Sequence, residues 1–167
     1  DNMAFYVSEG KHLWMTFQDP EAENQDRSIK LGSFNAVDRL YVAGSTLYFV
    51  ADDGTHGLEL WQSNGTVDGT FMVKDVYPGT SSGNPENLTF SNSILSFTAW
   101  SPGVGKELWR SNGSEAGTMM VKDILPKVGN SNATYLTDVN GTLFFSASDG
   151  THGYELWKSD GTAAGTV

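Results

Sequence analysis

The stretch Glu59-Leu60-Trp61-Gln62-Ser63-Asn64-Gly65-Thr66-Val67-Asp68-Gly69-Thr70 decides the fold, because the chain repeats it. Glu107-Leu108-Trp109 and Glu155-Leu156-Trp157 follow at intervals of 48 residues, and His12-Leu13-Trp14 stands 47 residues upstream of Trp61. Self-similarity at a period of this size marks a repeat architecture, in which each supersecondary unit buries its faces against its neighbours.

Working outward from the Trp, every unit reads as four short strands. A first strand, Leu40–Ala43, Leu88–Ser91 or Leu136–Val139, is followed by a tight turn, Gly44-Ser45, Asn92-Ser93 or Asn140-Gly141. Asn-Gly is the preferred two-residue hairpin turn, because both positions need φ > 0. The second strand is Leu47–Ala51, Leu95–Ala99 or Leu143–Ala147, and the Glu-Leu-Trp segment is the third. A Gly-rich turn leads to a fourth strand, Thr70–Val76 or Thr118–Ile124. Connectors rich in Pro, Gly, Ser and Asn then return to the next first strand. No window shows the 3.6-residue periodicity of an amphipathic helix.

Strands such as Leu47-Tyr48-Phe49-Val50-Ala51 are apolar on both faces. Such strands belong to sheets stacked between other sheets. The expected fold is therefore all-β, with four-stranded antiparallel blades of a β-propeller and about three and a half blades in 167 residues. The unit boundaries are a partial blade at 1–37, blades at 38–85 and 86–133, and a partial blade at 134–167. The half blades predict a piece of a larger propeller, or a subunit whose open ends are covered by other chains. The charged segment from Gln18 to Arg27 reads as a solvated hairpin tip.

Composition narrows the partners. Ten Lys and Arg against 20 Asp and Glu give a net charge of −10. Such a surface disfavours phosphate backbones and anionic lipid and favours cations, calcium among them. There is no cysteine, which excludes disulfides and thiolate chemistry. No apolar run approaches the ~20 residues that a membrane helix needs.

The repeated pattern Glu-Leu-Trp-x-Ser-(Asp/Asn)-Gly-Thr-x-x-Gly-Thr-x-x-Val-Lys-Asp resembles the ELWxxDGT repeat family of secreted or surface-attached bacterial proteins. Glu155–Thr166 and Glu59–Asp75 carry it most clearly, and Glu107–Asp123 has Asn112-Gly113-Ser114 in place of Asp-Gly-Thr. The resemblance covers about three quarters of the chain and implies an extracellular or cell-surface location and a propeller-like fold. It brings no defined activity.

Repetition also sorts the candidate residues. Trp14, Trp61, Trp109 and Trp157 recur at one strand position, as packing anchors between blades do. Glu59, Glu107 and Glu155 recur too, and are expected to pair across the hairpin with Lys74 and Lys122. A catalytic carboxylate pair needs unlike environments, which a repeat does not supply. Asp/Asn-Gly-Thr is turn chemistry.

Three places remain for ligands. The loop Asp52-Asp53-Gly54-Thr55-His56-Gly57 is matched by Ser148-Asp149-Gly150-Thr151-His152-Gly153. Asp52, Asp53 and Asp149, with hydroxyl and carbonyl oxygens, could hold calcium, the one cofactor the loops suit. His56 and His152 add one imidazole each, too few for zinc. Trp100 stands where the other copies have Asp52 and Ser148, so the repeat does not require it. The reading that follows is a non-catalytic scaffold binding a glycan, an extracellular protein or matrix through Trp100, Asp52, Asp53, His56, Asp149 and His152. The alternatives are a lectin, a piece of a propeller hydrolase or lyase, and a structural subunit of a surface assembly.

Overall fold

A computed structural model describes residues 3–18 and 26–167, all of whose regular elements are strands. The first sheet holds β1 (Met3–Ser8), β2 (His12–Gln18) and β3 (Asp26–Ser33). The second holds β4 (Ala36–Ala43), β5 (Thr46–Asp52), β6 (Leu58–Ser63) and β7 (Thr70–Lys74). The third holds β8 (Glu86–Ser91), β9 (Ile94–Ser101), β10 (Gly105–Ser111) and β11 (Met119–Lys122). The fourth holds β12 (Thr134–Val139), β13 (Thr142–Ser148) and β14 (Tyr154–Ser159). Each sheet is an antiparallel meander in chain order. Most of the charged Gln18–Arg27 segment, residues 19–25, lies outside the described residues.

The sheets stack, and among the described residues the hydrophobic clusters sit between two of them. Leu13, Met15 and Leu31 of the first sheet pack with Leu47, Phe49, Ala51 and Trp61 of the second. Tyr48, Leu60 and Val73 of the second meet Leu95, Phe97, Ala99 and Trp109 of the third. Leu108, Val121 and Ile124 of the third meet Leu143, Phe145, Ala147 and Trp157 of the fourth. Alternation along a strand sends Leu60 forward to one neighbour and Trp61 back to the other. A buried Phe or Leu contributes roughly 1.5–3 kcal/mol of transfer free energy, so each joint rests on several such residues. The outer faces of the first and fourth sheets are open: Tyr6 is 41% exposed and Leu156 76%. The chain is thus an open stack of four sheets.

Glu59 and Glu107 depart from expectation. Neither pairs with a lysine across the hairpin. Glu59 is fully buried and accepts backbone N–H bonds from Val76 at 3.0 Å, Tyr77 at 3.3 Å and Gly83 at 2.6 Å. Glu107 is equally buried and accepts from Ile124 and Ser131, both at 3.0 Å. A buried carboxylate needs donors, and the connector to the next sheet supplies them from its backbone. Lys122 reaches the other way, donating to the Thr166 carbonyl at 2.7 Å with its ammonium 5.6 Å from the centre of the Trp157 ring.

The Asn/Asp-Gly-Thr turn closes as a hydrogen-bond chain. Asn64 accepts from the N–H and hydroxyl of Thr66 at 3.1 and 2.7 Å. The Thr70 hydroxyl donates to the Thr66 carbonyl at 2.7 Å and meets the Ser63 hydroxyl at 2.7 Å. Ser111 with Thr118 and Ser159 with Thr166 repeat the last contact at 2.7 Å.

Candidate functional site

In the second, third and fourth sheets the loops between the second and third strands run along one edge of the stack, and the connectors run to the same edge. The N–H of Trp100 donates to the Gly83 carbonyl at 2.7 Å, and that of Ser148 to the Ser131 carbonyl at 2.9 Å. The Leu58 N–H donates to the Ser82 hydroxyl at 3.0 Å. The edge therefore presents, in order, the Asp53–His56 loop, Trp100 and the Asp149–His152 loop. Trp100 lies near the end of β9 and is 37% exposed.

The two acidic loops share one geometry. One Asp53 oxygen accepts from the Thr55 N–H at 2.8 Å, the Thr55 hydroxyl at 2.8 Å and the His56 N–H at 3.0 Å. Its other oxygen contacts Nδ1 of His56 at 2.7 Å. Asp149 repeats this with the N–H groups of Thr151 at 2.8 Å and His152 at 3.0 Å, and Nδ1 of His152 at 2.8 Å. Asp52 caps the Gly54 N–H at 2.7 Å. The loop thus satisfies its own carboxylates. Among the described residues, no three His, Cys, Asp or Glu side chains gather as a metal centre requires.

Each pair shifts both partners. At Asp53 partial burial opposes ionisation, but hydrogen bonds from His56 and Thr55 prevail and hold the carboxyl well below the usual carboxylate range. The His152 hydrogen bond, with the turn N–H groups, does the same for Asp149. The aspartates in turn raise His56 and His152 above the ordinary imidazole value. These rings keep positive charge toward neutral pH and point a free edge outward, with the His152 side chain 71% exposed.

A second constellation on this edge escaped the sequence reading. The first strand of each four- or three-stranded sheet from the second onward carries a bulge. It places Arg39, Asn87 and Tyr135 at positive φ of 49°, 57° and 58°. Positive φ is unfavourable for Arg and Tyr, and a bulge turns a side chain out of the pleat. Arg39 pairs with Asp38 at 2.8 Å and with Glu86 at 3.1 Å, and Glu86 also contacts Lys106. This network ties the second sheet to the third. Asn87 donates to the Ala133 carbonyl of the next unit at 3.3 Å, while the Tyr135 ring is 83% exposed. The only sequence cue is that each stands directly before a leucine, Leu40, Leu88 or Leu136.

No family model matches the chain, and no curated protein matches it in sequence. The fold is similar to that of solved structures. One is from a structural and mechanistic study of two prolyl endopeptidases. There the match has a TM-score of 0.60 at 12% identity and covers 99% of this chain and 24% of that one. The chain thus spans about a quarter of the length of that enzyme. Fainter similarity reaches the computationally designed Ika4 protein, with a TM-score of 0.39 at 16% identity over 92% of this chain and 88% of that one. An α-L-arabinofuranosidase from Clostridium thermocellum matches with a TM-score of 0.30 at 15% identity, over 99% of this chain and 70% of that one. The chain is all-β and built of stacked antiparallel sheets, and the first of these structures shares that fold over the matched part alone.

Proposed function

We propose that this chain forms part of an extracellular β-propeller scaffold that carries out no chemistry itself and binds a glycan, protein or matrix partner through its loop edge. One observation carries the reading: the repeat holds its framework constant and varies this edge at two positions per unit, beside an Asp-Gly-Thr-His-Gly loop kept in two of the copies. Leu60, Leu108 and Leu156, and Trp61, Trp109 and Trp157, occupy identical framework places. At the edge the equivalent residues are Asp52, Trp100 and Ser148, and, on the bulges, Arg39, Asn87 and Tyr135. A framework under packing constraint keeps its residues, whereas a surface fitted to a ligand diversifies them. The indole of Trp100 stands opposite Lys106 of the Arg39–Glu86–Lys106 network in the ladder and supplies an apolar plate with charged groups beside it. Sugar rings and polypeptides both use that combination. The ELWxxDGT-like pattern supports a location outside the cell.

An array of glycans and matrix proteins, run with calcium and with chelator, tests the reading. Binding to one ligand class that is lost in Trp100→Ala, with the circular dichroism unchanged, supports it. Retention of all binding in that variant and in Tyr135→Ala refutes it. Binding confined to one sugar class would define a lectin.

The second reading, a piece of a propeller hydrolase, draws on the fold similarity to a prolyl endopeptidase. It expects the protein to cleave peptide substrates, and the same preparations incubated with a peptide library decide it.

A further inference from the structure

Three joints inside the chain are built alike. In each, the leucine preceding one sheet's conserved Trp packs against a cross-strand aromatic pair of the next sheet. Leu13 meets Phe49 and Trp61, Leu60 meets Phe97 and Trp109, and Leu108 meets Phe145 and Trp157. The pairs are opposite residues in the ladder: Phe49 with Trp61, Phe97 with Trp109 and Phe145 with Trp157. All three leucines have 0% exposure, and the three phenylalanines 0–1%.

The two outer faces carry the missing halves of one more such joint. On the fourth sheet Leu156 holds the leucine position, with Tyr154, 62% exposed, beside it on the same face. On the first sheet Tyr6 stands opposite Trp14 in the ladder, with their rings within 5° of parallel and 6.3 Å apart. One end offers a leucine with no aromatic pair on it, and the other an aromatic pair with no leucine on it.

We propose that the protein assembles head to tail with a second copy of itself, the Leu156 face of one chain seating on the Tyr6–Trp14 face of the other. The residues of the first sheet point to a separate molecule as the occupant. Where the internal joints have Phe and Ala, this face has Tyr6 and Ser8, and Ser8 takes the Trp14 indole N–H at 3.1 Å. In the second and fourth sheets a backbone carbonyl, of Ala51 or Ala147, takes the corresponding indole N–H. A lysine does not distinguish this face, since the Lys30 ammonium lies 5.9 Å from the Trp14 ring centre much as that of Lys122 lies 5.6 Å from that of Trp157 inside the chain. A joint that forms only on association must tolerate water before it closes. Tyr in place of Phe and the added hydroxyls meet that need, and such amphipathic aromatics favour interfaces over cores. The contact is heterologous, since the two faces differ, so it propagates into an array unless the rotation closes it as a ring, and a ring of two copies makes the contact twice. It depends on the stacked-sheet packing and not on the loop-edge ligand, so either can fail without the other.

Sedimentation velocity over a concentration series reads the association, with ~0.1 mM as the upper end, beyond which an interface of this kind is too weak to matter. The wild type is expected to associate. Leu156→Asp and Tyr6→Asp, both at exposed positions, are each expected to be monomeric with unchanged circular dichroism. A 1:1 mixture of the two variants is expected to yield a heterodimer, because each retains the face that the other lost. A wild type monomeric at every concentration overturns the proposal. So does an assembly that survives both substitutions, or a mixture that stays monomeric.

Discussion

The backbone N–H of Gly83 donates to the Glu59 carboxylate at 2.6 Å, and through that bond the third strand of one sheet holds the connector leading to the next. Val76 and Tyr77 donate to the same group, so three N–H donors, those of Val76 and Gly83 buried and that of Tyr77 half-buried, converge on one side chain. Glu59→Ala removes the acceptor from all three and leaves a cavity. The expected loss is about 3 kcal/mol of unfolding free energy, read from urea midpoints, with faster amide exchange at Gly83. Glu59→Gln keeps the volume but turns one donor-bearing nitrogen toward the N–H groups, at an expected cost of about 1–2 kcal/mol.

The same carboxylate gives stability a pH dependence. Burial pushes the Glu59 carboxyl up to about 7, against the pull of the Gly83, Val76 and Tyr77 N–H groups. Burial raises Glu107 as well. A carboxyl whose value is higher folded than unfolded takes up a proton on folding. Its contribution is complete below the unfolded value of roughly 4.3 and is lost as pH rises through the folded one. Between pH 5 and pH 8 the wild type should therefore lose on the order of 2 kcal/mol more than Glu59→Gln. Equal losses in the two proteins would show that the carboxylate is ionised throughout, held by its donors.

The repeated turns assign a steric role to the second glycine of the motif. A Cβ on Gly117 would overlap the Asn112 carboxamide, as one on Gly69 or Gly165 would overlap Asn64 or Asp160. Those side chains cannot retreat without giving up their bonds to the turn. Gly117→Ala is expected to cost roughly 2 kcal/mol in thermal or urea unfolding, while Ala116→Gly next to it should cost under about 1.

The repeat made the stacking legible, because a residue that returns every 48 positions in a strand facing another sheet is under one constraint. Turns and strands were legible for the same reason, through Asn-Gly and period-2 alternation. The partners of Glu59 were not. Periodicity placed a lysine on the adjacent strand, and a charge opposite a charge is the simplest inference at that range. The winning donors are backbone N–H groups up to 24 residues away, in a connector whose path no pattern encodes. The bulges at Arg39, Asn87 and Tyr135 were hidden because a bulge changes register without changing residue type in any consistent way. The acidic loops were legible as turns, but that Asp53 and Asp149 spend their oxygens on the loop itself follows only from the folded geometry.

That self-contained loop makes the histidines reporters. Hydrogen bonding to Asp149 raises His152, so its stabilising contribution is present below the ordinary imidazole value of about 6.5 and fades as pH rises through the raised one. Asp149 lies low, so its part is kept above the ordinary carboxylate value and fades only in strong acid. In an NMR titration His152 should titrate above about 6.5 in the wild type and return toward that value in Asp149→Asn. His56 should follow in Asp53→Asn and stay unmoved by Asp149→Asn.

The indoles separate framework from surface in a single experiment. Trp109 is 7% exposed and packed between two sheets, whereas Trp100 is 37% exposed at the loop edge. Trp100→Phe should remove red-shifted emission that iodide quenches and leave the urea midpoint within about 0.5 kcal/mol of wild type. Trp109→Phe should remove blue-shifted emission that iodide does not reach, and Trp109→Ala should cost about 3–5 kcal/mol through the void it opens between the sheets. If iodide quenched all five indoles alike, the sheets would not be burying both of their faces, and the stacked architecture would have to be abandoned.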